Sequence, residues 1–533
     1  MRSRILYSVI VLIFSTDADA QPTVRSKLGN VYGAVDISTG VPVETFLGIP
    51  FAKPPIGERR FARPHPFGAF GELDATKHSP VCVQSIHALG ANSSEDCLYL
   101  NVFRKEGPLY QTAELPVIIV IHGGAFASGG ASTFSFSGVP LAAHTGAVVV
   151  TIQYRLGIIG FAQSDTIPAN LGLQDQRLAI QWVHDNIASY GGSPERVTLM
   201  GPSAGSMSIS SHIMSPELRD RNLFQSVIMD GGVLGGIVVP KSETVRRLVR
   251  INAKLGCPLS GQPALRCIRD VKVQDLIEYS IESPKAATTF IPTDDESDYR
   301  PKNKGPGQFA PVRMLIGTAE NEGEIFVKTR IDEKAEMRNF EDFLVLCREL
   351  RDLFDVKVDI DNPDTRELLR KSYYEKHENF RIAAAEFVGD SVFVCPVNEF
   401  VERFSKFNGE VYVYRFDRQL AQTYKKLHLD PQGGAKHWHP YVHFSGSLLT
   451  LGPFAHSADV KFSLDSLKMI SDFVAGKSPS FRGLPWPAFP ETGEILVFDE
   501  TPSRIYGLPK FENCPKLLSA VPPKKIGGVK EEL

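Results

Sequence analysis

A short string around Ser203 combines the residue types of a reactive-serine turn. It reads Gly201-Pro202-Ser203-Ala204-Gly205, a G-x-S-x-G pattern, and it follows the apolar residues 197–200. In enzymes with this pattern the serine occupies a strained turn between a strand and a helix, which exposes its hydroxyl as a nucleophile. The same pattern also occurs as a purely structural glycine turn. Its position after an apolar run favours a nucleophile at Ser203.

The string His122-Gly123-Gly124-Ala125-Phe126 could supply the complementary chemistry. It follows the apolar residues 117–121. Glycines can take backbone angles that turn main-chain N–H groups inward, and such groups stabilise the oxyanion that forms when a nucleophile attacks a carbonyl. The expected oxyanion donors are the N–H groups of Gly123 or Gly124, Ala125 and Ala204. The alternative is an ordinary tight turn, but two such strings in this order favour acyl transfer.

Both strings need a scaffold that places the ends of several strands side by side. Short apolar runs rich in β-branched residues are typical of buried strands in a parallel sheet. Such runs occur at residues 117–121, 147–152, 197–200, 226–229 and 313–316. Between them, residues 175–188 have the apolar spacing of a helix, and this alternation predicts an α/β fold with both faces of the sheet covered. Residues 293–307 are polar and predict a loop, and no linker divides the chain.

Longer strings resemble one enzyme family through most of the chain. They are Phe46-Leu47-Gly48-Ile49-Pro50-Phe51-Ala52, Ser94-Glu95-Asp96-Cys97-Leu98-Tyr99-Leu100-Asn101, Asn170-Leu171-Gly172-Leu173-Gln174-Asp175-Gln176 and Tyr190-Gly191-Gly192-Ser193-Pro194. The chain thereby resembles the type-B carboxylesterases, the cholinesterase-like branch of the α/β-hydrolases. The resemblance implies a central, mostly parallel β-sheet flanked by helices with large insertions. It also implies a serine hydrolase that cleaves small-molecule carboxylic esters without a cofactor or a metal ion.

The resemblance supplies the two remaining members of a catalytic triad. The family's acid lies in a D/N-E-G string, matched by Asn321-Glu322-Gly323, and its histidine follows a G-A-x string, matched by Gly434-Ala435-Lys436-His437. His437 would take the proton of Ser203 as the hydroxyl attacks the ester. Glu322 would orient the imidazole and stabilise its cationic form, and water would release the acyl group.

Two departures from the family pattern lie beside these residues. The residue before the nucleophile is usually Glu and is here Pro202, whose fixed φ suits the end of a strand. After the histidine the family commonly has Gly and then an acidic residue, whereas this chain has Trp438-His439-Pro440. If the sequences are instead aligned on the following Pro-Tyr-Val, His439 becomes the alternative base. Trp438 is expected to pack near the site.

The chain has seven cysteines, and their spacing alone leaves several pairings open. The family's disulfides imply Cys82–Cys97, Cys257–Cys267 and Cys395–Cys514, with Cys347 free or paired between chains. No C-x-x-C pair or His-rich tract suggests a zinc site. The string Asn92-Ser93-Ser94 is an N-glycosylation acceptor.

Both ends of the chain carry targeting signals. Arg2 and Arg4, an apolar run at residues 5–14 and the string Ala18-Asp19-Ala20 predict a signal peptide at 1–20. The final Lys530-Glu531-Glu532-Leu533 is similar to the K-D-E-L signal read by a retention receptor. We therefore expect an esterase domain at 21–529 and a retention tail at 530–533. The predicted location is the lumen of the endoplasmic reticulum, with secretion as the alternative.

Composition narrows the possible partners. The net charge of −3 gives no basic surface for a nucleic acid, and no stretch is apolar and long enough to predict a transmembrane span. Cholinesterases bind the quaternary ammonium of choline through a tryptophan in their first disulfide loop. The corresponding residues 83–96 contain no Trp, Tyr or Phe, so choline esters are not expected. The competing interpretation is a catalytically weak or inactive cholinesterase-like binding or adhesion protein.

Overall fold

The computed structural model describes residues 21–84, 92–112, 114–219, 221–280, 290–293, 309–328, 339–354, 356, 358–427, 434–509 and 514–519. The predicted signal peptide, the C-terminal tail and most of the polar segment 293–307 lie outside these residues, so their predictions stay open.

Short strands are spread along the whole of the described chain. They are β1 (Thr23–Ser26), β2 (Gly29–Tyr32), β3 (Ala34–Asp36), β4 (Val43–Pro50), β5 (Gly71–Asp74), β6 (Val81–Cys82), β7 (Ser93–Ser94), β8 (Tyr99–Lys105), β9 (Leu115–Ile121), β10 (Val148–Ile152), β11 (Gly192–Pro202), β12 (Ser226–Asp230), β13 (Arg313–Ala319), β14 (Val411–Phe416), β15 (Ser480–Phe481), β16 (Leu484–Pro485), β17 (Glu494–Phe498) and β18 (Ser503–Tyr506).

Helices occupy most of the connections between these strands. They are α1 (Pro108–Thr112), α2 (Val139–Thr145), α3 (Gly157–Phe161), α4 (Leu171–Asn186), α5 (Ala204–Met214), α6 (Pro216–Arg219), α7 (Lys241–Lys254), α8 (Gly261–Asp270), α9 (Val273–Ser280), α10 (Glu324–Lys328), α11 (Phe340–Phe354), α12 (Pro363–Leu369), α13 (Phe380–Gly389), α14 (Cys395–Ser405), α15 (Ala421–Lys426), α16 (His439–Phe444), α17 (Ser457–Val474), α18 (Phe489–Thr492) and α19 (Cys514–Ser519). None of the described helices is both long and apolar enough to cross a membrane.

Eleven of the described strands form one large mixed sheet. Their order is β18-β17-β14-β13-β12-β11-β9-β10-β8-β4-β3. The neighbours from β17 to β10 pair in parallel, whereas β8, β4, β3 and β18 are joined by antiparallel pairing. The sheet is therefore mostly parallel at its centre and antiparallel at its edges.

The centre of the sheet is buried on both faces. In β9, Val117, Ile119 and Ile121 belong to one apolar cluster, while Ile118 and Val120 belong to a second cluster on the opposite side. Successive side chains of a strand point to opposite faces, so a strand covered by helices on both sides must be apolar throughout. This is why the sequence shows continuous apolar runs rather than alternation.

The strand and helix predictions for the core are confirmed. Four of the five predicted runs lie wholly within strands, in β9, β11, β12 and β13, and the run at 147–152 starts one residue before β10. The predicted helix at 175–188 overlaps α4, which starts earlier, at Leu171. Asn170 precedes α4 with a positive φ of 53°, a turn conformation that asparagine tolerates better than most residues. The helical spacing of apolar residues gave no signal for this earlier start.

The expected disulfides are formed in the structure. Their sulfur atoms join Cys82 to Cys97, Cys257 to Cys267, and Cys395 to Cys514. Cys347 is a free, buried thiol, and burial raises its pKa. The exposed Asn92 precedes β7 and its carbonyl accepts a hydrogen bond from the main-chain N–H of Val81.

Candidate active site

Ser203 occupies a strained position between β11 and α5. Its φ of 54° and ψ of −124° are angles that residues other than glycine adopt rarely and at a cost. The two motif glycines make the turn possible because the chain passes very close to β9. A Cβ atom at Gly205 would lie 2.1 Å from the carbonyl oxygen of Ile121, and one at Gly201 would lie 2.9 Å from it. Pro202 ends β11, so the expected strand–turn–helix context is present.

The glycine loop after β9 folds against this turn. Gly124, Ala125 and Phe126 all have positive φ, at 117°, 55° and 59°. A Cβ atom at Gly123 would lie 3.2 Å from the Cβ of Ser203, so the loop and the serine are in direct contact. Among the described residues, the main-chain N–H groups of Gly124 and Ala125 donate no hydrogen bond.

Helix α5 starts directly after Ser203 and offers a further donor. Its first residue is Ala204, and the N–H groups of the first helical turn have no partner inside the helix. The positive end of the helix dipole lies at the same place. Anionic groups are therefore favoured beside Ser203.

His122 holds the glycine loop in place. Burial lowers its pKa to about 4, so the ring is neutral near pH 7 and its Nδ1–H can donate to the carbonyl of Gly123 at 2.8 Å. The hydroxyl of Tyr154 donates to the carbonyl of His122 at 2.9 Å, and the two rings stack with centroids 4.3 Å apart. Sequence reasoning did not identify Tyr154, because its role depends on a contact with His122, which follows the neighbouring strand β9.

Glu322 and His437 form a buried pair. Glu322 follows β13, and its Oε1 accepts a hydrogen bond from the main-chain N–H of Ala319 at 2.7 Å. Its Oε2 accepts a short hydrogen bond from Nδ1 of His437. The two residues are only 2% and 3% exposed. Nε2 of the same imidazole is buried and has no hydrogen-bond partner in the described part of the chain.

A main-chain contact aligns the two loops that carry this pair. The N–H of Asn321 donates to the carbonyl of Ala435 at 2.8 Å, and Asn321 and Lys436 form an isolated parallel bridge. Glu322 and His437 directly follow these residues, so the bridge places them side by side.

His439, the alternative base, is engaged elsewhere. Its Nδ1 accepts a hydrogen bond from the main-chain N–H of Lys436 at 3.1 Å, and its Nε2 lies 2.9 Å from the hydroxyl of Tyr424. Burial, and then the charge of Lys436, lower its pKa to about 3. The structure thus brings His437, and not His439, to Glu322.

Aromatic rings surround the imidazole of His437. The centroids of Phe393, Phe326 and Trp438 lie 4.7, 5.4 and 6.0 Å from its own. Trp438 has a left-handed φ of 84°, and its Cη2 would lie 2.9 Å from a Cβ atom at Gly123. The site is therefore lined by apolar rings, of which the sequence indicated only Trp438.

A family model described as the carboxylesterase family matches residues 20–514. This chain belongs to the carboxylesterase family. It is 32% identical to the pyrethroid hydrolase Ces2e of Rattus norvegicus over 519 residues, which cover 91% of this chain and 87% of that protein. It is 31% identical to the acylcarnitine hydrolase of Mus musculus, with 91% and 89% covered. It is 30% identical to the cocaine esterase of Homo sapiens, with 91% and 89% covered.

The family confirms the predicted fold and enzyme class. The large, mostly parallel sheet flanked by helices is the α/β-hydrolase fold, and the protein is a carboxylic ester hydrolase. In open α/β sheets, ligands bind beyond the carboxyl ends of the strands. In this carboxylesterase the glycine loop, Ser203 and Glu322 follow the carboxyl ends of β9, β11 and β13.

One buried carboxyl of the carboxylesterase site was missed by sequence reasoning. Asp230 ends β12 and is 4% exposed, and its main-chain oxygen accepts a hydrogen bond from the N–H of Ser203 at 2.7 Å. Burial and the charge of Glu322 raise its pKa to about 7, against the opposing effect of His437. The only available signal was a carboxylate directly after the apolar residues 226–229.

Proposed function

We propose that this carboxylesterase hydrolyses esters with Ser203 as nucleophile, His437 as general base and acid, and Glu322 as the residue that orients the imidazole. The observation that carries the proposal is the environment of His437. Glu322 binds its Nδ1–H, while its Nε2 is left without a partner among the described residues. A neutral imidazole protonated at Nδ1 has Nε2 free to accept a proton.

Acylation begins when Oγ of Ser203 attacks the ester carbonyl carbon and its proton passes to Nε2 of His437. The carbonyl oxygen becomes an oxyanion. As this tetrahedral intermediate collapses, the bond to the alcohol oxygen breaks and Nε2 returns the proton to the departing alcohol. Glu322 stabilises the imidazolium throughout, because a buried carboxylate beside a cation favours the charged form.

Deacylation repeats the same proton transfers with water as the nucleophile. His437 takes a proton from a water molecule, whose oxygen attacks the carbonyl carbon of the acyl-Ser203. The second tetrahedral intermediate then breaks the bond to Oγ, and Nε2 returns the proton to the serine oxygen. The products are the alcohol, the carboxylic acid and the unmodified enzyme.

The proposed oxyanion donors are the N–H groups of Gly123 or Gly124, Ala125 and Ala204. The contact between Gly123 and Ser203, and the N–H groups of Gly124 and Ala125 that donate no hydrogen bond among the described residues, support this assignment. The position of Ala204 at the start of α5 supports it as well. Removing one donor of this kind typically costs about 2.7–4 kcal/mol of transition-state stabilisation.

Esters that carry lipophilic groups are the proposed substrates. The aromatic rings beside His437 favour apolar groups, and the relatives include a pyrethroid hydrolase and a cocaine esterase. Esters of choline are not proposed, because residues 83–96 carry no aromatic side chain for a cation–π contact.

The proposed location is the lumen of the endoplasmic reticulum. The signal-peptide pattern at 1–20 and the tail at 530–533 support it, as do disulfides that need an oxidising compartment. Deleting residues 530–533 should cause secretion of the protein into the medium if a retention receptor reads the tail.

The exposed Asn92 is the proposed glycosylation site, so Asn92→Gln should remove the mass released by an N-glycosidase.

A fluorophosphonate probe tests the catalytic assignment directly. The purified enzyme should be labelled, and Ser203→Ala should not be. Equal labelling of both proteins would remove Ser203 from its role. Absence of labelling in the wild type, with a normal thermal melt, would instead favour a non-catalytic binding protein.

A further inference from the structure

Asp230 lies close to the Glu322–His437 pair, and its carboxyl interacts electrostatically with both residues. The next residue, Gly231, has a φ of 65°, and a Cβ atom there would lie 3.0 Å from Cε1 of His437 and 3.2 Å from Oε1 of Glu322. The chain that leaves Asp230 therefore runs against both members of the pair.

The carboxyl of Asp230 accepts a hydrogen bond from a neighbouring strand. The hydroxyl of Tyr414 in β14 donates to its Oδ1 at 2.8 Å, and the main-chain N–H of Tyr441 in α16 acts with it to lower the pKa of this carboxyl. Its main-chain oxygen binds the N–H of Ser203 at 2.7 Å. Asp230 thus connects the serine turn with β14.

The charged and titratable groups that face Asp230 come from three neighbouring elements. They are Glu322 after β13, Tyr414 in β14, His437 in the loop before α16, and Tyr441 in α16. Among these groups only His437 can become a cation. In a buried site, a carboxylate near an imidazole favours the protonated ring.

We propose that Asp230 is a positioning residue for ester hydrolysis, whose carboxyl supports the imidazolium form of His437 while its main-chain oxygen fixes the Ser203 turn. This inference rests on the proposed function. When His437 accepts the serine proton, the new positive charge faces two carboxyls, of Glu322 and Asp230, instead of one. No bond to Asp230 forms or breaks.

The sign of the pH effect follows from this arrangement. Burial and Glu322 keep a proton on Asp230 up to about pH 7, its pKa. As that proton leaves, the carboxylate begins to support the imidazolium that forms in the transition state, so kcat/KM should rise through this pH range. Removing the carboxyl should remove this part of the pH dependence.

The pH dependence of kcat/KM for 4-nitrophenyl acetate tests the proposal, because kcat/KM reports acylation by the free enzyme. In Asp230→Asn we expect the acid limb of the kcat/KM profile to shift to lower pH by about half to one pH unit. We also expect kcat/KM on the plateau to fall about tenfold, because the imidazolium loses support. A lower plateau with the acid limb at its wild-type position would overturn the proposal, since a purely structural role gives that result.

A pair of tyrosine variants makes the test independent of any folding defect in Asp230→Asn. Tyr414→Phe removes one donor to Asp230, so the aspartate stays protonated to higher pH and the acid limb should move to higher pH, the opposite direction to that in Asp230→Asn. Tyr412→Phe is the matched control, since this tyrosine lies two residues earlier on β14 and packs on Phe473 and Trp486. Indistinguishable acid limbs in the two variants, with normal melting, would reject the proposal.

Labelling by a fluorophosphonate separates this inference from the proposed function. If the wild type is labelled and Ser203→Ala is not, but neither Asp230→Asn nor Tyr414→Phe moves the acid limb, only the role of Asp230 fails. If labelling does not depend on Ser203, the proposed mechanism fails first.

Discussion

Glu322 binds Nδ1 of His437 with one carboxylate oxygen and the main-chain N–H of Ala319 with the other. Both oxygens are thus committed, and the imidazole is fixed with its proton on Nδ1. This arrangement predicts the effect of replacing Glu322.

Glu322→Gln should abolish most of the activity while leaving the fold intact. The amide oxygen can still accept from Ala319, but the amide group then presents N–H to Nδ1 of His437. That contact favours the tautomer with the proton on Nε2, which cannot accept the serine proton. We expect kcat to fall by about 10³–10⁴-fold, as for the equivalent change in a serine protease. Ester hydrolysis by the purified variant measures this.

Glu324→Gln is the control for this change. Glu324 lies two residues further along and pairs with Lys436 at 3.2 Å, outside the proposed triad. It should keep most of the wild-type kcat. Similar losses in the two variants would contradict the assignment of Glu322.

Gly231→Ala should impair catalysis more than it impairs folding. Its φ of 65° makes any side chain costly, and the new Cβ would lie 3.0 Å from the His437 ring. We expect the free energy of unfolding to fall by about 1–2 kcal/mol and kcat to fall by about 10–100-fold, since small displacements of reacting groups are costly. Gly476→Ala has the same backbone problem, at a φ of 86°, with nothing within 4 Å of the new Cβ. It should lose similar stability and no activity, and equal kinetics in the two variants would contradict this account.

His439→Asn should keep fluorophosphonate labelling, whereas His437→Asn should lose it. Asparagine can reproduce the acceptor that binds the N–H of Lys436, so only the contact with Tyr424 disappears. Losing that hydrogen bond should lower the free energy of unfolding by about 1 kcal/mol. Loss of labelling in a well-folded His439→Asn would restore the alternative base.

Stability should decline as the pH falls below about 6.5. Burial lowers the pKa of His122 to about 4 and that of His439 to about 3, from the ordinary histidine value of about 6.5. The folded protein therefore keeps these rings neutral while the unfolded chain binds protons, so stability is greatest above the unfolded pKa and is lost towards the folded one. At pH 5, each of the two buried rings should lower the free energy of unfolding by about 2 kcal/mol. Urea unfolding at pH 7.5 and pH 5 checks this, and His439→Asn should show a smaller difference between the two conditions.

Trp438→Ala should change substrate selection rather than the chemical step. The indole contacts the region of Gly123 and packs on Phe136 with centroids 5.7 Å apart. Its removal opens space beside Ser203, so kcat/KM for a bulky ester such as 4-nitrophenyl benzoate should rise relative to that for the acetate. Trp438→Phe, which keeps a ring, should lie between the two. An unchanged ratio in both variants would place the indole outside the path of the substrate.

The sequence located the central strands because they are buried on both faces. In β9, every residue from Val117 to Ile121 is at most 1% exposed, so the strand appears as an unbroken apolar run. The motif strings then placed Ser203 and the glycine loop, since their close backbone contacts with Ile121 and Ser203 demand glycine at fixed positions.

The choice between the two histidines needed three-dimensional contacts. The sequence offers two alignments, one that places the base at His437 and one that places it at His439. The hydrogen bond of His437 to Glu322 and the contact of His439 with Tyr424 in α15 distinguish the two. Asp230 was missed for a similar reason. Its environment is built by Tyr414 and Glu322, which are remote in sequence, and a carboxylate at the end of a strand is not distinctive by itself.

The glycine loop, Ser203, Asp230 and Glu322 each come from a separate connection at one edge of the sheet, after β9, β11, β12 and β13. The spacing between these groups is set by the hydrogen-bonded ladder beneath them and not by the lengths of the intervening insertions. The segments between the strands can therefore be lengthened or replaced, and the range of compounds accepted can change with them, while the proposed catalytic groups keep their relative positions.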